Sequence, residues 1–274
     1  MSGSITSSGP GATSEAGAAS GDSVSLRVRL REVGFDLFAL VPAAHYDAIV
    51  PESWRTLCVA RGASSVAVVG CGGRRFWDIA VASPEWRDGV PHPLDRYARR
   101  VLTQAVGDGS RVALYSDTRA DQYLPMIALA RAGGLGEPGR IGLLLNREFG
   151  PWMALRGVLY LDTMSTDTES DRVYIPSGRI PDRDLSPCVN CTAPCQTACH
   201  GNAVSTEGLD LERCSEARQS YSACRARCDA RAACVIGTEH AYSREQLSYH
   251  ARFSLATVLS LAVKNARSDE ACSE

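Results

Sequence analysis

The sequence predicts an α+β domain followed by a small cysteine-rich module. Three observations predict it. Short apolar runs and amphipathic stretches mix between residues 23 and 162, as helices and non-alternating strands of one domain would. Eight of the eleven cysteines then fall between Cys188 and Cys234. A polar stretch at 163–186, with Pro176 and Pro181, separates the two and suits a linker.

Residues 1–22 are Gly, Ser, Ala and Thr with a single Glu15, and read as a flexible tail. Within 23–33 the apolar residues alternate, yet Gly34 follows like a helix C-cap. The expectation is therefore a helix, then a strand at 35–41. Residues 64–70 (SSVAVVG) form a buried strand. Gly70 and Gly72 resemble the start of a dinucleotide loop, but there is no third glycine or evident following helix, so a tight turn is expected. Residues 92–106 form a helix with Pro93 near its start and Leu94, Tyr97, Val101 and Leu102 on one face. A short strand at 112–115 follows. A helix at 121–132, with Pro125 in its first turn, then stops at Gly133-Gly134. Residues 143–145 and 158–161 read as strands paired around the loop NREFGPW. The cysteine module spans 187–237, and 238–274 holds a last helix opened by a Ser243/Gln246 capping box, with Leu247, Phe253 and Leu255 facing inward.

At 45% hydrophobic and 22% charged residues the composition is that of a soluble globular protein. A net charge of −2 offers no electrostatic case for nucleic acid, which is expected not to be a partner. The start of the chain has neither the basic residues nor the apolar core of a signal peptide. The longest apolar run, 253–263, is too short to span a bilayer. A reducing cytoplasm with no membrane contact is the expected setting.

The cysteines carry the chemistry. Cys188, Cys191, Cys195 and Cys199 stand in the run CVNCTAPCQTACHG, and Cys214, Cys224, Cys228 and Cys234 follow. Two sets of four soft ligands suit two iron–sulfur clusters. Structural zinc is the main rival, because Cys-x2-Cys is also a zinc spacing, and disulfides would need an oxidising compartment. The middle gap of the first run is one residue longer than in the usual bacterial cluster run, and His200 stands where proline is usual. Cys58 and Cys71 read as buried small hydrophobes, and Trp77, Trp86 and Trp152 as core or pocket wall.

The stretch Gly134-Leu135-Gly136 through Gly139-Arg140 and Gly142 to Asn146, Gly150 and Trp152 resembles the corrinoid-domain signature of epoxyqueuosine reductases. The resemblance extends upstream to the strand at 67–70 and downstream through CVNCTAPCQTACHGNAV and LDLERC, covering about residues 24–237 in the same order. It stops short of the helical repeats into which the family's longer members continue.

The resemblance implies a nitroreductase-like α+β domain that binds cobalamin, then a ferredoxin-like domain with two 4Fe-4S clusters. It implies that Cys188, Cys191 and Cys195 take Cys234 as fourth ligand, while Cys199 joins Cys214, Cys224 and Cys228. Gly134, Leu135, Gly136, Gly139, Arg140, Gly142 and Trp152 would lie at the cofactor. Asp121 would donate a proton, with Asp117 as second candidate and an N-cap as the alternative role of Asp121. The implied function is an iron–sulfur reductase that takes electrons from an external donor and passes them through cobalamin to a small-molecule or tRNA substrate. The alternative is a non-catalytic electron carrier or corrinoid-handling protein serving a partner enzyme.

Overall fold

The computed structural model describes residues 26–117, 122–162 and 187–252. The expected tail, the linker and the end of the last helix lie outside these residues. In order, the elements are α1 (Leu26–Glu32), β1 (Leu37–Pro42), α2 (Ala43–Ile49), α3 (Thr56–Val59), β2 (Ser65–Gly72), α4 (Arg75–Val81), α5 (Pro84–Arg87), α6 (Pro93–Val106), β3 (Val112–Leu114), α7 (Met126–Ala132), β4 (Glu137–Pro138), β5 (Leu144–Leu145), β6 (Met153–Leu161), α8 (Pro194–Thr197), α9 (Leu211–Ser220), α10 (Ser222–Ala226) and α11 (Asp229–Ala232). A final helix opens at residue 244. The chain is α+β, as expected.

Four antiparallel strands form the main sheet in the order β1-β2-β6-β3. Every residue of β2 is buried, because helices cover both faces of the sheet. Ala67, Val69 and Cys71 point to one face, under Phe76 of α4 and Leu94, Tyr97 and Leu102 of α6. Val66 and Val68 point to the other, with Tyr46 of α2 and Met126 and Leu129 of α7. Such double burial reads as an apolar run rather than an alternation, which is why this strand is plain in the sequence.

The C-cap expected after α1 is present: Phe35 N–H donates to Leu30 C=O at 2.9 Å and Gly34 has φ +96°. α6 begins at Pro93 and is capped at its end by Gly107, whose N–H donates to Thr103 C=O at 2.8 Å. Three expectations need correction. Gly70 and Gly72 form no turn but extend β2, and α4 follows directly. Gly70 lies where β2 and β6 change register, and a Cβ there would come 2.8 Å from Ala154 C=O. α7 starts after Pro125, which is its N-cap, rather than at 121. The strands around 146–152 do not pair with each other: β5 pairs with β4, while β6 joins β2 and β3. The loop is instead closed by a single bridge between Asn146 and Gly150.

The cysteine module packs against the β4–β5 hairpin. Ile141 and Leu145 share a small core with Ala193, Cys195, Val204 and Ala230. Gly150 and Gly237 close the seam between the two parts. A Cβ on Gly150 would sit 2.0 Å from Ile236 C=O, and one on Gly237 would sit 2.4 Å from the Phe149 backbone. Both have positive φ, so glycine is required twice over.

Candidate functional site

Short turns position the thiols. Cys188 C=O accepts from Cys191 N–H at 3.3 Å, and Ala193, at φ +56°, turns the chain into α8, which carries Cys195. Cys199 follows one turn later, its N–H donating to Gln196 C=O at 3.3 Å. Two sulfurs already accept backbone N–H groups: Cys191 Sγ from Ala193 at 3.4 Å and Cys199 Sγ from Ala203 at 3.3 Å. Amides aimed at sulfur stabilise its anionic, ligating form. Cys214 lies on α9, capped by Asp210, whose carboxylate accepts from Arg213 N–H. Cys224 lies on α10, and Cys228 is the N-cap of α11.

The fold sorts these thiols into two sets. The groups acting on Cys195 include Cys188, Cys234 and Cys191, and those acting on Cys234 include Cys188 and Cys191. Around Cys214 stand Cys228, Cys199 and Cys224; Cys224 and Cys228 likewise feel Cys199. Burial pushes all five of these thiols up, and the neighbouring thiols push the same way. Cys199, Cys214, Cys224 and Cys228 also line one small cavity of about 60 Å³. Cys199 therefore parts from the run that contains it, and Cys234 crosses back to that run.

No disulfide joins any two described cysteines. Among the described residues, no three or more His, Cys, Asp or Glu side chains converge as a metal site.

His200 borders the second set, and its Nε2 lies 2.7 Å from Asp229 Oδ2. This contact is the first cause that holds the Asp229 carboxyl below its usual range. Cys71 is buried, as expected. Cys58, expected to be buried, is exposed, because Thr56 is the residue that α3 buries. Trp77 packs edge-on to Trp86 at 5.1 Å within the aromatic cover of α4.

A second cavity, of about 590 Å³, lies beside the module between the start of α7, the 142–144 segment and the start of β6. Its wall is mostly apolar, with Met126, Leu144 and Met153, and two exposed tyrosines, Tyr115 (53%) and Tyr123 (57%), stand at its rim. Arg131 and Arg231 supply its charge. Of the predicted cofactor residues, Gly142 lines this cavity. Of the others, Gly136 and Gly139 pack on Leu145 of the hairpin behind it. A Cβ on Gly136 would meet Leu145 C=O at 2.5 Å, one on Gly139 would meet the Leu145 side chain at 2.5 Å, and one on Gly142 would meet Leu209 at 2.5 Å. Gly134 caps α7 with its N–H on Arg131 C=O, Leu135 is buried in the core, and Arg140 approaches Cys191 C=O at 3.5 Å.

Trp152 is 3% exposed and lies behind Arg231. The guanidinium sits 4.7 Å from the ring centres of both Trp152 and Tyr242, and it donates to Pro151 C=O at 2.6 Å. Arg231 does not stand out in the sequence, since Trp152 lies far away along the chain. Asp121 lies outside the described residues. Asp117 Oδ2 accepts from Leu114 N–H at 2.8 Å and pairs with Arg99, so its carboxylate is engaged in holding β3.

No protein-family model and no curated protein matches the sequence. Three solved structures are similar in arrangement. An epoxyqueuosine reductase crystallised with a tRNA-Tyr epoxyqueuosine-modified stem loop is 14% identical over 81% of this chain and 67% of its own, with a TM-score of 0.47. The epoxyqueuosine reductase of Bacillus subtilis is 13% identical over 80% and 66%, with a TM-score of 0.43. The B12-trafficking protein CblC of C. elegans is 14% identical over 82% and 88%, with a TM-score of 0.46. The chain thus spans about two thirds of the length of these two reductases. The expectation that nucleic acid is not a partner gains no support. No helix among the described residues is long and apolar enough to cross a membrane.

Proposed function

We propose that this chain is an iron–sulfur oxidoreductase of the epoxyqueuosine reductase type, with a nitroreductase-like domain and a ferredoxin-like module that holds two 4Fe-4S clusters. The first cluster takes Cys188, Cys191, Cys195 and Cys234, and the second takes Cys199, Cys214, Cys224 and Cys228. The observation that carries this reading is the crossed sorting of the thiols, which places Cys199 with Cys214, Cys224 and Cys228 around one cavity. Burial pushes the Cys214, Cys224 and Cys228 thiols up, so binding iron as thiolates would release protons.

Cobalamin fits the larger cavity in chemistry: apolar walls, rim tyrosines and a mouth wide enough to leave them exposed. Bound there, it would supply a strongly reducing metal centre. Gly142, Met126, Leu144 and Met153 would hold it and exclude water, while the hairpin of Leu135, Gly136, Gly139 and Arg140 braces that wall against the clusters. Asp121 remains the proposed proton donor. An external donor supplies the electrons. The substrate is a small molecule or a modified tRNA, the latter being what the reductase noted above was crystallised with.

A second reading, a non-catalytic carrier or corrinoid-handling protein, is favoured by the engagement of Asp117 with Arg99 and Leu114. The test is anaerobic reduction of the iron-loaded chain in the presence of cobalamin. The proposal predicts a change in the cobalamin spectrum that depends on the thiols of both sets. Iron with no spectral change supports the carrier, and zinc in place of iron removes both readings.

A further inference from the structure

The larger cavity holds two guanidinium groups, and the fold treats them differently. Arg131 is neutralised by Glu137, whose carboxylate lies 3.0 Å from its Nε. Arg231 has no carboxylate partner among the described residues. Two aromatic faces and the Pro151 carbonyl fix its position, and its Nε is buried with no hydrogen-bond partner. A cation held rigid against low-dielectric aromatic faces on the wall of a cavity is organised for an oxyanion. The remaining wall, with Met126, Ile127, Leu144 and Met153, is apolar.

We infer that this cavity selects a ligand with an apolar body and one oxyanion group, carboxylate or phosphate, and that Arg231 is the residue that recognises it. The inference deepens the proposed function by naming what its cavity binds. The oxyanion belongs either to the cofactor, whose nucleotide loop carries a phosphodiester, or to the substrate.

The test uses two fluorescent probes with the same aromatic body, anilinonaphthalene sulfonate and neutral N-phenylnaphthylamine, titrated into the full iron-loaded chain. The sulfonate should bind at least about tenfold more tightly than the neutral probe. Arg231→Gln should remove that margin, about tenfold or more, and leave the neutral probe unchanged. Arg231→Lys should restore part of it, and Arg131→Gln should change it little. Cyanocobalamin and dicyanocobinamide, which lacks the phosphodiester, locate the oxyanion. Loss of affinity in Arg231→Gln for cobalamin alone assigns it to the cofactor, and equal affinity for both assigns it to the substrate. Equal binding of the two probes by the wild type, or equal weakening of both by Arg231→Gln, overturns the inference. Iron content measured on the same samples separates this outcome from failure of the cluster assignment, because probe selectivity needs no iron.

Discussion

The Arg231 guanidinium rests 4.7 Å from the centre of the Trp152 ring. This contact joins α11, which runs between a thiol of each set, to the segment that leads into β6. The cluster module is therefore anchored on the wall of the larger cavity. Just behind the contact, the backbones around Gly150 and Gly237 pass too close for any side chain.

Gly150→Ala tests that seam. The added methyl would lie 2.0 Å from the Ile236 carbonyl, at a φ of +54°. The module must move to accommodate it, at a cost of about 2–4 kcal/mol. Thermal unfolding should fall by several degrees and cluster retention should drop. Gly62→Ala has nothing within 4 Å of its Cβ and should cost only the φ penalty of about 1 kcal/mol.

The crossing of ligands gives a second expectation. Cys199→Ser should disturb the cluster of Cys214, Cys224 and Cys228 and spare that of Cys191 and Cys195, although Cys199 is closer in sequence to the latter. Cys234→Ser should do the reverse. Electron paramagnetic resonance of the reduced variants distinguishes the signals. Identical losses in the two variants would contradict the sorting.

Tyr46 and Tyr160 are fully buried, with hydroxyl oxygens 2.9 Å apart. Burial raises both phenols, that of Tyr160 to about 12, so both stay neutral. Tyr46→Phe should cost about 1–3 kcal/mol because it orphans the Tyr160 hydroxyl. The double change to Phe should recover part of that loss. Chemical denaturation of the three variants would show it, and strict additivity would refute it.

His250 is pushed down to about 3 by burial, with Arg156 and Arg231 adding to the effect. Its folded value lies below the unfolded value of 6.5, so the unfolded chain binds more protons between those limits. Stability should therefore rise with pH across that window and fall on acidification below about 6.5. His250→Gln should flatten the slope, as read from urea midpoints at about pH 5 and about pH 7. An unchanged slope would mean the ring is not held neutral.

The apolar run of β2, the proline start of α6 and the glycine end of α1 were legible because each rests on local chemistry. The start of α7 was misread because the apolar period runs past Pro125, which breaks the helix. The false pairing around 146–152 arose because partner choice in a sheet depends on residues distant in sequence. Among the site residues, the eight cysteines show in the sequence as a cluster of one residue type. The role of Arg231 does not, because its aromatic neighbours come from two other segments. The glycines at 136, 139 and 142 suggested close approach, and the structure supplies Leu145 and Leu209 as the groups approached.

The most direct measurement is the iron and acid-labile sulfide content of the full chain purified without oxygen. The account predicts about eight irons per chain, falling to about four in Cys199→Ser with the first cluster intact. Zinc in place of iron, or iron that does not fall in that variant, would contradict it.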